Sequence, residues 1–118
     1  TCEKNKDLKA CQPLESWPGH GGKSVNAVSF TPDGCFLASA GSDGQVKLWP
    51  LDDSGRRRSQ IPEGKVLERR DRSINSVDAI NPRDRLLIVS GGDDYQVRLN
   101  TLVLKRNATS RNLCNAQI

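Results

Sequence analysis

Few of the 118 residues could carry out chemistry, and their spacing limits what that chemistry would be. His20 is the sole histidine. As a general base it needs a nucleophile beside it, and as a metal ligand it needs companions; none lies at suitable spacing. Cys2, Cys11, Cys35 and Cys114 form no Cys-x-x-Cys pair, and His20 falls between Cys11 and Cys35 without finger spacing, so no metal is expected. No Gly-x-Ser-x-Gly elbow and no phosphate-cradling glycine loop occurs. Asp93 and Asp94 are paired carboxylates, but adjacent side chains at a strand end diverge. Arg56, Arg57 and Arg58 form a basic triplet without interleaved aromatics, which reads as a solvated loop tip rather than a finger for phosphate or an acidic partner. The residues point to no cofactor and no enzyme.

Short strands must position these groups. From Val25 to Phe30 apolar residues alternate with small or polar ones, with Val25, Ala27 and Phe30 as candidates for burial. Thr31-Pro32-Asp33-Gly34 follows, a turn in which Pro presets φ and Gly accepts a positive value. A second strand is predicted over 35–40, with Cys35 as a small buried residue at its start. Ser42-Asp43-Gly44 is the next turn, and Asp-Gly between apolar runs signals a hairpin. A third strand covers 45–49, with Val46 and Leu48 on one face. Three antiparallel strands joined by tight turns make a β-meander.

The stretch from Gly19 to Trp49 resembles one repeat of the WD-repeat β-propeller family. The matching residues are Gly19-His20, the Pro32–Gly34 turn, Leu37-Ala38-Ser39, Asp43 before the last strand and the closing Trp49; Pro50 stands where the signature dipeptide ends in Asp. The resemblance implies a buried hydrogen-bonded network of His20, Ser39, Asp43 and Trp49, a structural rather than catalytic use of the histidine.

A second copy follows at an offset of 49 to 51 residues: Asn75 matches Asn26, Pro82 matches Pro32, Ser90 matches Ser39, and Asp94 matches Asp43. Its strands are expected near 65–69, 74–80, 86–90 and 95–100, the first of these completing the preceding blade. Arg69 or Arg70 stands in place of the histidine, and Asn100 in place of the tryptophan. Ser90 and Asp94 would keep half the network, with arginine pairing to Asp94, and this blade is expected to be the less stable one.

The fold class is therefore expected to be all-β: two blades, each a four-stranded antiparallel meander, of an incomplete propeller. Residues 1–18 would be a polar N-terminus plus the outer strand of a preceding blade (near 11–17), 19–69 the first blade, 70–104 the second, degenerate blade and 105–118 a tail without clear period. Hydrophobic residues are only 35% and aromatics 4%, a thin core that suits a repeat protein. The net charge of +4 is spread through loops and makes nucleic acid an unfavoured partner. No run approaches the roughly 18 apolar residues of a membrane span. With Cys-pairing motifs absent, a reducing, cytoplasmic setting is the simpler expectation, and the glycosylation triplet Asn107-Ala108-Thr109 stands alone. The chain contains no Met, and a fragment of a longer protein is expected.

What the family resemblance implies about function is a non-catalytic scaffold that binds protein partners through loops and strand starts on the narrow face. The matching positions are Asn26 and Ser42 in the first repeat and Asn75 and Asp93 in the second. An alternative is the ligand-sensing C-terminal part of a larger signalling NTPase, because the tail resembles the end of long cyanobacterial WD-repeat proteins. Two blades leave apolar faces without neighbours, so self-assembly to complete the propeller is also expected.

Overall fold

The computed structural model describes residues 15–52, 54–58 and 64–103. Seven strands occur among them and no helix: β1 (Val25–Phe30), β2 (Phe36–Gly41), β3 (Gln45–Pro50), β4 (Lys65–Arg69), β5 (Ile74–Ile80), β6 (Arg85–Gly92) and β7 (Val97–Val103). They form two antiparallel meanders, a four-stranded sheet β1-β2-β3-β4 and a three-stranded sheet β5-β6-β7. The expected fourth strand of the second sheet is absent among the described residues, and the tail from 104 onward lies outside them.

The turns follow from the residues in them. Asp33 accepts from the Thr31 hydroxyl at 2.6 Å and from the Cys35 amide at 3.0 Å, closing the Pro32-Asp33-Gly34 turn. Asp43 and Asp94 each accept the amide two residues on, from Gln45 and Gln96, at 3.1 Å, which closes the β2–β3 and β6–β7 turns alike. The register of both hairpins then carries apolar residues to defined faces. Ala38 pairs with Leu48 and Ala40 with Val46, which places all four on one side of the first sheet. Ala79 pairs with Ile88, on the side of the second sheet that also holds Leu86. These two sides meet in one core with Phe36 and Ile74 fully buried, and β5 packs against β1 and β2.

Three expectations need correction. Val25 and Phe30 are not buried; they are 49% and 66% exposed. Strand alternation identifies a face but not whether a neighbour covers it, and the side of the first sheet that holds Phe30 points away from the second sheet. Cys35 is fully buried just before β2, as expected, but a reducing setting predicts a free thiol there and its sulfur is in a disulfide. Residues Glu15–Trp17 of the expected outer strand are described and take no strand form; Cys11 to Leu14 lie outside the described residues. Instead of pairing, Trp17 packs edge-on against Trp49, ring centroids 5.3 Å apart at 63°.

The basic triplet is also less solvated than its sequence implies. Arg57 lies over the Trp17 ring at 4.2 Å and donates from Nε to Glu15 Oε2 at 2.8 Å. The Arg57 amide donates to the other oxygen of Glu15 at 3.1 Å and holds that carboxyl below its ordinary pKa. Arg58 stacks over Phe36 at 5.7 Å and donates to the Leu51 carbonyl. Of the three, Arg56 is exposed, and Arg57 and Arg58 are half-buried. The guanidinium groups of Arg57 and Arg58 thus cover the apolar surface of Trp17, Trp49 and Phe36.

Candidate functional site

The structure brings His20, Ser39, Asp43 and Trp49 together. His20 Nδ1 is 2.8 Å from Asp43 Oδ1, and His20 Nε2 is 2.8 Å from Ser39 Oγ. Trp49 Nε1 donates to the same Ser39 oxygen at 2.8 Å. One assignment satisfies every group: Nδ1–H donates to Asp43, and the Ser39 hydroxyl donates to Nε2 while accepting from Trp49. His20 is 1% exposed, so no substrate reaches it. Space for the ring exists because residue 41 is glycine; a Cβ there would lie 2.6 Å from Nδ1. The network ties the approach to β1, the second and third strands, and the β2–β3 turn into one unit.

The second sheet rebuilds this circuit with charges. Arg70 Nη1 donates to Asp94 Oδ1 at 3.0 Å, and Nη2 donates to Ser90 Oγ at 2.8 Å. Arg70 therefore stands where His20 stands, and Asp94 and Ser90 take the parts of Asp43 and Ser39. A further member is Glu68 on β4, which sequence reasoning missed. Its carboxylate accepts from Arg70 Nε at 2.7 Å, from Ser90 Oγ at 2.8 Å and from Asn100 Nδ2 at 3.1 Å, and pairs with Arg98 Nε at 3.1 Å. The available signal was Asn100: an amide in place of an indole leaves a polar opening that a nearby carboxylate can enter. Because β4 belongs to the first sheet, this circuit staples the two sheets together, whereas the His20 circuit stays within one. The Gln96 amide, followed by the charge on Arg70, holds the Asp94 carboxyl below its ordinary value of 3.8, against the opposing effect of burial.

The four residues expected to meet a partner lie on one rim, where β1 and β5 begin and the β2–β3 and β6–β7 turns close. Asn26 Nδ2 donates to Ser42 Oγ at 3.2 Å, and Asn75 Nδ2 donates to Asp93 Oδ1 at 2.6 Å. The two pairs repeat the same geometry, and backbone bonds of 2.9 Å repeat beside them, from the Ser42 amide to Ser24 and from the Asp93 amide to Ser73. Asn26 also donates to the Ile74 carbonyl at 2.9 Å, across the junction between the sheets. Next to Asp93 and Asp94, Tyr95 is 95% exposed and holds φ of 64°, at the position where the first repeat has Gly44. A bulky residue at positive φ is uncommon, and an aromatic presented this way was not anticipated from the spacing. Among the described residues no group of three or more His, Cys, Asp or Glu could hold a metal ion. Nor is any helix among them long and apolar enough to cross a membrane.

Two repeated meanders, each tied by an Asp in its second turn and a Ser on its middle strand, define a class of repeat protein. The family of the WD domain, G-beta repeat, matches residues 11–50 and 63–99, and the chain belongs to it. Its relatives include the small ribosomal subunit protein RACK1z of Oryza sativa, 40% identical over 60 residues, which is 51% of this chain and 17% of that protein. Protein HIRA of Dictyostelium discoideum is 26% identical over 121 residues, 94% of this chain and 10% of HIRA. Ribosome assembly protein 4 of Saccharomyces cerevisiae is 45% identical over 42 residues, 36% of this chain and 8% of that protein. The chain spans less than a fifth of the length of each of these proteins.

Proposed function

We propose that this chain is a non-catalytic interaction module that binds protein partners through the rim carrying Asn26, Ser42, Asn75 and Asp93. The observation behind this reading is the Asn–Ser and Asn–Asp pair at equivalent positions of the two blades, with Asn26, Asn75 and Asp93 exposed and the exposed Tyr95 close to Asp93. Polar side chains held in fixed orientation next to an exposed aromatic suit recognition of another protein. The only histidine is occupied by Asp43 and Ser39, which supports a structural use. We take the blades as residues 19–69 and 70–104. No observation favours the signalling-NTPase alternative.

The cytoplasmic expectation rests on the absence of cysteine-pairing motifs, and the disulfide at Cys35 weighs against it, since such bonds persist in oxidising surroundings. Alkylation of free thiols in the chain taken from intact cells decides between the two settings. The rim reading is tested by panning a displayed peptide library on the full chain. Bound peptides are expected to lose at least tenfold in affinity with Asn75→Ala or Asp93→Lys and to tolerate changes at Arg85 on the opposite end. Binders indifferent to both rim variants would overturn it.

A further inference from the structure

We infer that the rim takes an arginine side chain of its protein partner at one corner, where Asp93 and Tyr95 stand in the β6–β7 turn. This rests on the rim reading above and names the chemistry the rim selects. The warrant is an arrangement that the chain already makes within itself. Glu15 and Trp17 are an acidic and an aromatic residue two positions apart, and Arg57 sits on both. Its guanidinium lies 4.2 Å over the Trp17 ring while Nε donates to Glu15 Oε2 at 2.8 Å. Asp93 and Tyr95 are a second acidic–aromatic pair at the same spacing, and both are exposed. Among the described residues neither has an ion pair or a ring contact with a cation. Arg70 and Arg98 turn instead to the buried circuit, Arg70 to Asp94 at 3.0 Å and Arg98 to Glu68 at 3.1 Å. The two carboxylates of the turn are thereby sorted. Asp94 closes the circuit, while Asp93 accepts from Asn75 through Oδ1 at 2.6 Å, which fixes the carboxylate and leaves Oδ2 for a donor from outside.

The equivalent corner of the first blade lacks this chemistry. Ser42 stands there for Asp93, Gly44 for Tyr95 and Gly22 for Asp71, while the exposed cations Lys23 and Arg72 are common to both blades. The second corner is therefore the more anionic of the two, and it alone carries a ring. The first blade has no room for one: a Cβ at Gly44 would collide with the Arg70 carbonyl, because that turn is packed under the segment entering the second blade. A following blade cannot make the same close approach to the β6–β7 turn, since the Tyr95 side chain stands in its path. Arginine fits this corner better than lysine. A guanidinium is flat, so it stacks on a ring and still presents N–H groups in its plane to a carboxylate. An ammonium is a point charge and does one or the other well.

The test starts from peptides that bind the full chain and are weakened by the rim variants. Each is synthesised with every arginine replaced in turn by lysine and by citrulline, its uncharged isostere. Affinities are measured by calorimetry against wild type, Asp93→Ser and Tyr95→Gly. Both variants install the residue that the first blade carries at the same place, so the turn is kept and Ser can still accept from Asn75. One arginine in each peptide is expected to lose about tenfold as citrulline and less than that as lysine. Each variant should weaken the parent peptide and leave the citrulline peptide as it was, a coupling that a merely structural role for the turn would not produce. If Tyr95→Gly loses its sheet circular dichroism, Tyr95→Asn, which tolerates positive φ, takes its place. Rim-dependent peptides without a critical arginine, or arginine losses equal in wild type and both variants, would overturn this inference and leave the rim reading standing. Binders indifferent to the rim variants would overturn both.

Discussion

Asp43 and Asp94 hold the same place in two circuits of different chemistry, and that difference predicts different costs of breakage. Asp43→Ala leaves the buried His20 imidazole without one partner, so urea unfolding should show a loss on the order of 1–3 kcal/mol. Arg70→Ala takes the buried cation from the Glu68 carboxylate and leaves it the half-exposed Arg98, and removing one member of a buried pair costs more, about 3–5 kcal/mol. Adding Glu68→Gln to that variant should recover part of the loss, and a double-mutant cycle that shows no coupling would exclude the staple. Acid acts on the same circuit. The Asp94 carboxyl is held below its ordinary value, so its contribution is present above pH 3.8 and lost as the pH falls further, through its lowered value in the folded state. Acid titration of Asp94→Asn should show a shallower loss of stability in that window than wild type. At this scale the first circuit was legible because the signature spacing of His20, Ser39, Asp43 and Trp49 names it. Glu68 was not, because it entered only where a large indole had been lost, and no spacing rule records an opening.

Among the elements, strand positions were the most readable part of the chain. Turn residues bound them: Pro32 to Gly34 and Asp43-Gly44 bracket β2, and the structure starts it at Phe36 and ends it at Gly41. What could not be read was the neighbour of each face. Val28 and Ala38 look alike in sequence, yet one is exposed and the other fully buried, since only one side of the first sheet meets the second. Strand β7 follows from the same asymmetry. It is the edge of its sheet, and Val97, Leu99 and Val103 are exposed along it. Its amides are expected to exchange with solvent faster than those of β2 and β3, which lie inside the four-stranded sheet. Equal protection across the three strands would show that β7 is covered.

For the whole molecule, the thin core and the two-repeat pattern correctly indicated an incomplete propeller, because two blades bury one face each and leave one each. The arginine triplet was misjudged for a related reason. A loop sequence does not reveal what it can fold back upon, and here two indole rings and Phe36 lay within reach of Arg57 and Arg58. The Glu15–Arg57 pair extends that cover, so Arg57→Ala should expose the edge of Trp17. At constant pH a modest loss of stability, on the order of 1 kcal/mol, is expected in thermal melts.

The replacement of the closing tryptophan by Asn100 has an optical consequence. Trp49 belongs to the first blade, Trp17 packs against it from just outside, and the single tyrosine, Tyr95, belongs to the second blade. Indole emission therefore reports on one blade alone, and tyrosine emission on the other. In the Arg70→Ala variant the second blade can open while the indole spectrum stays native. Coincident loss of both signals would instead mean that the two blades melt as one cooperative body.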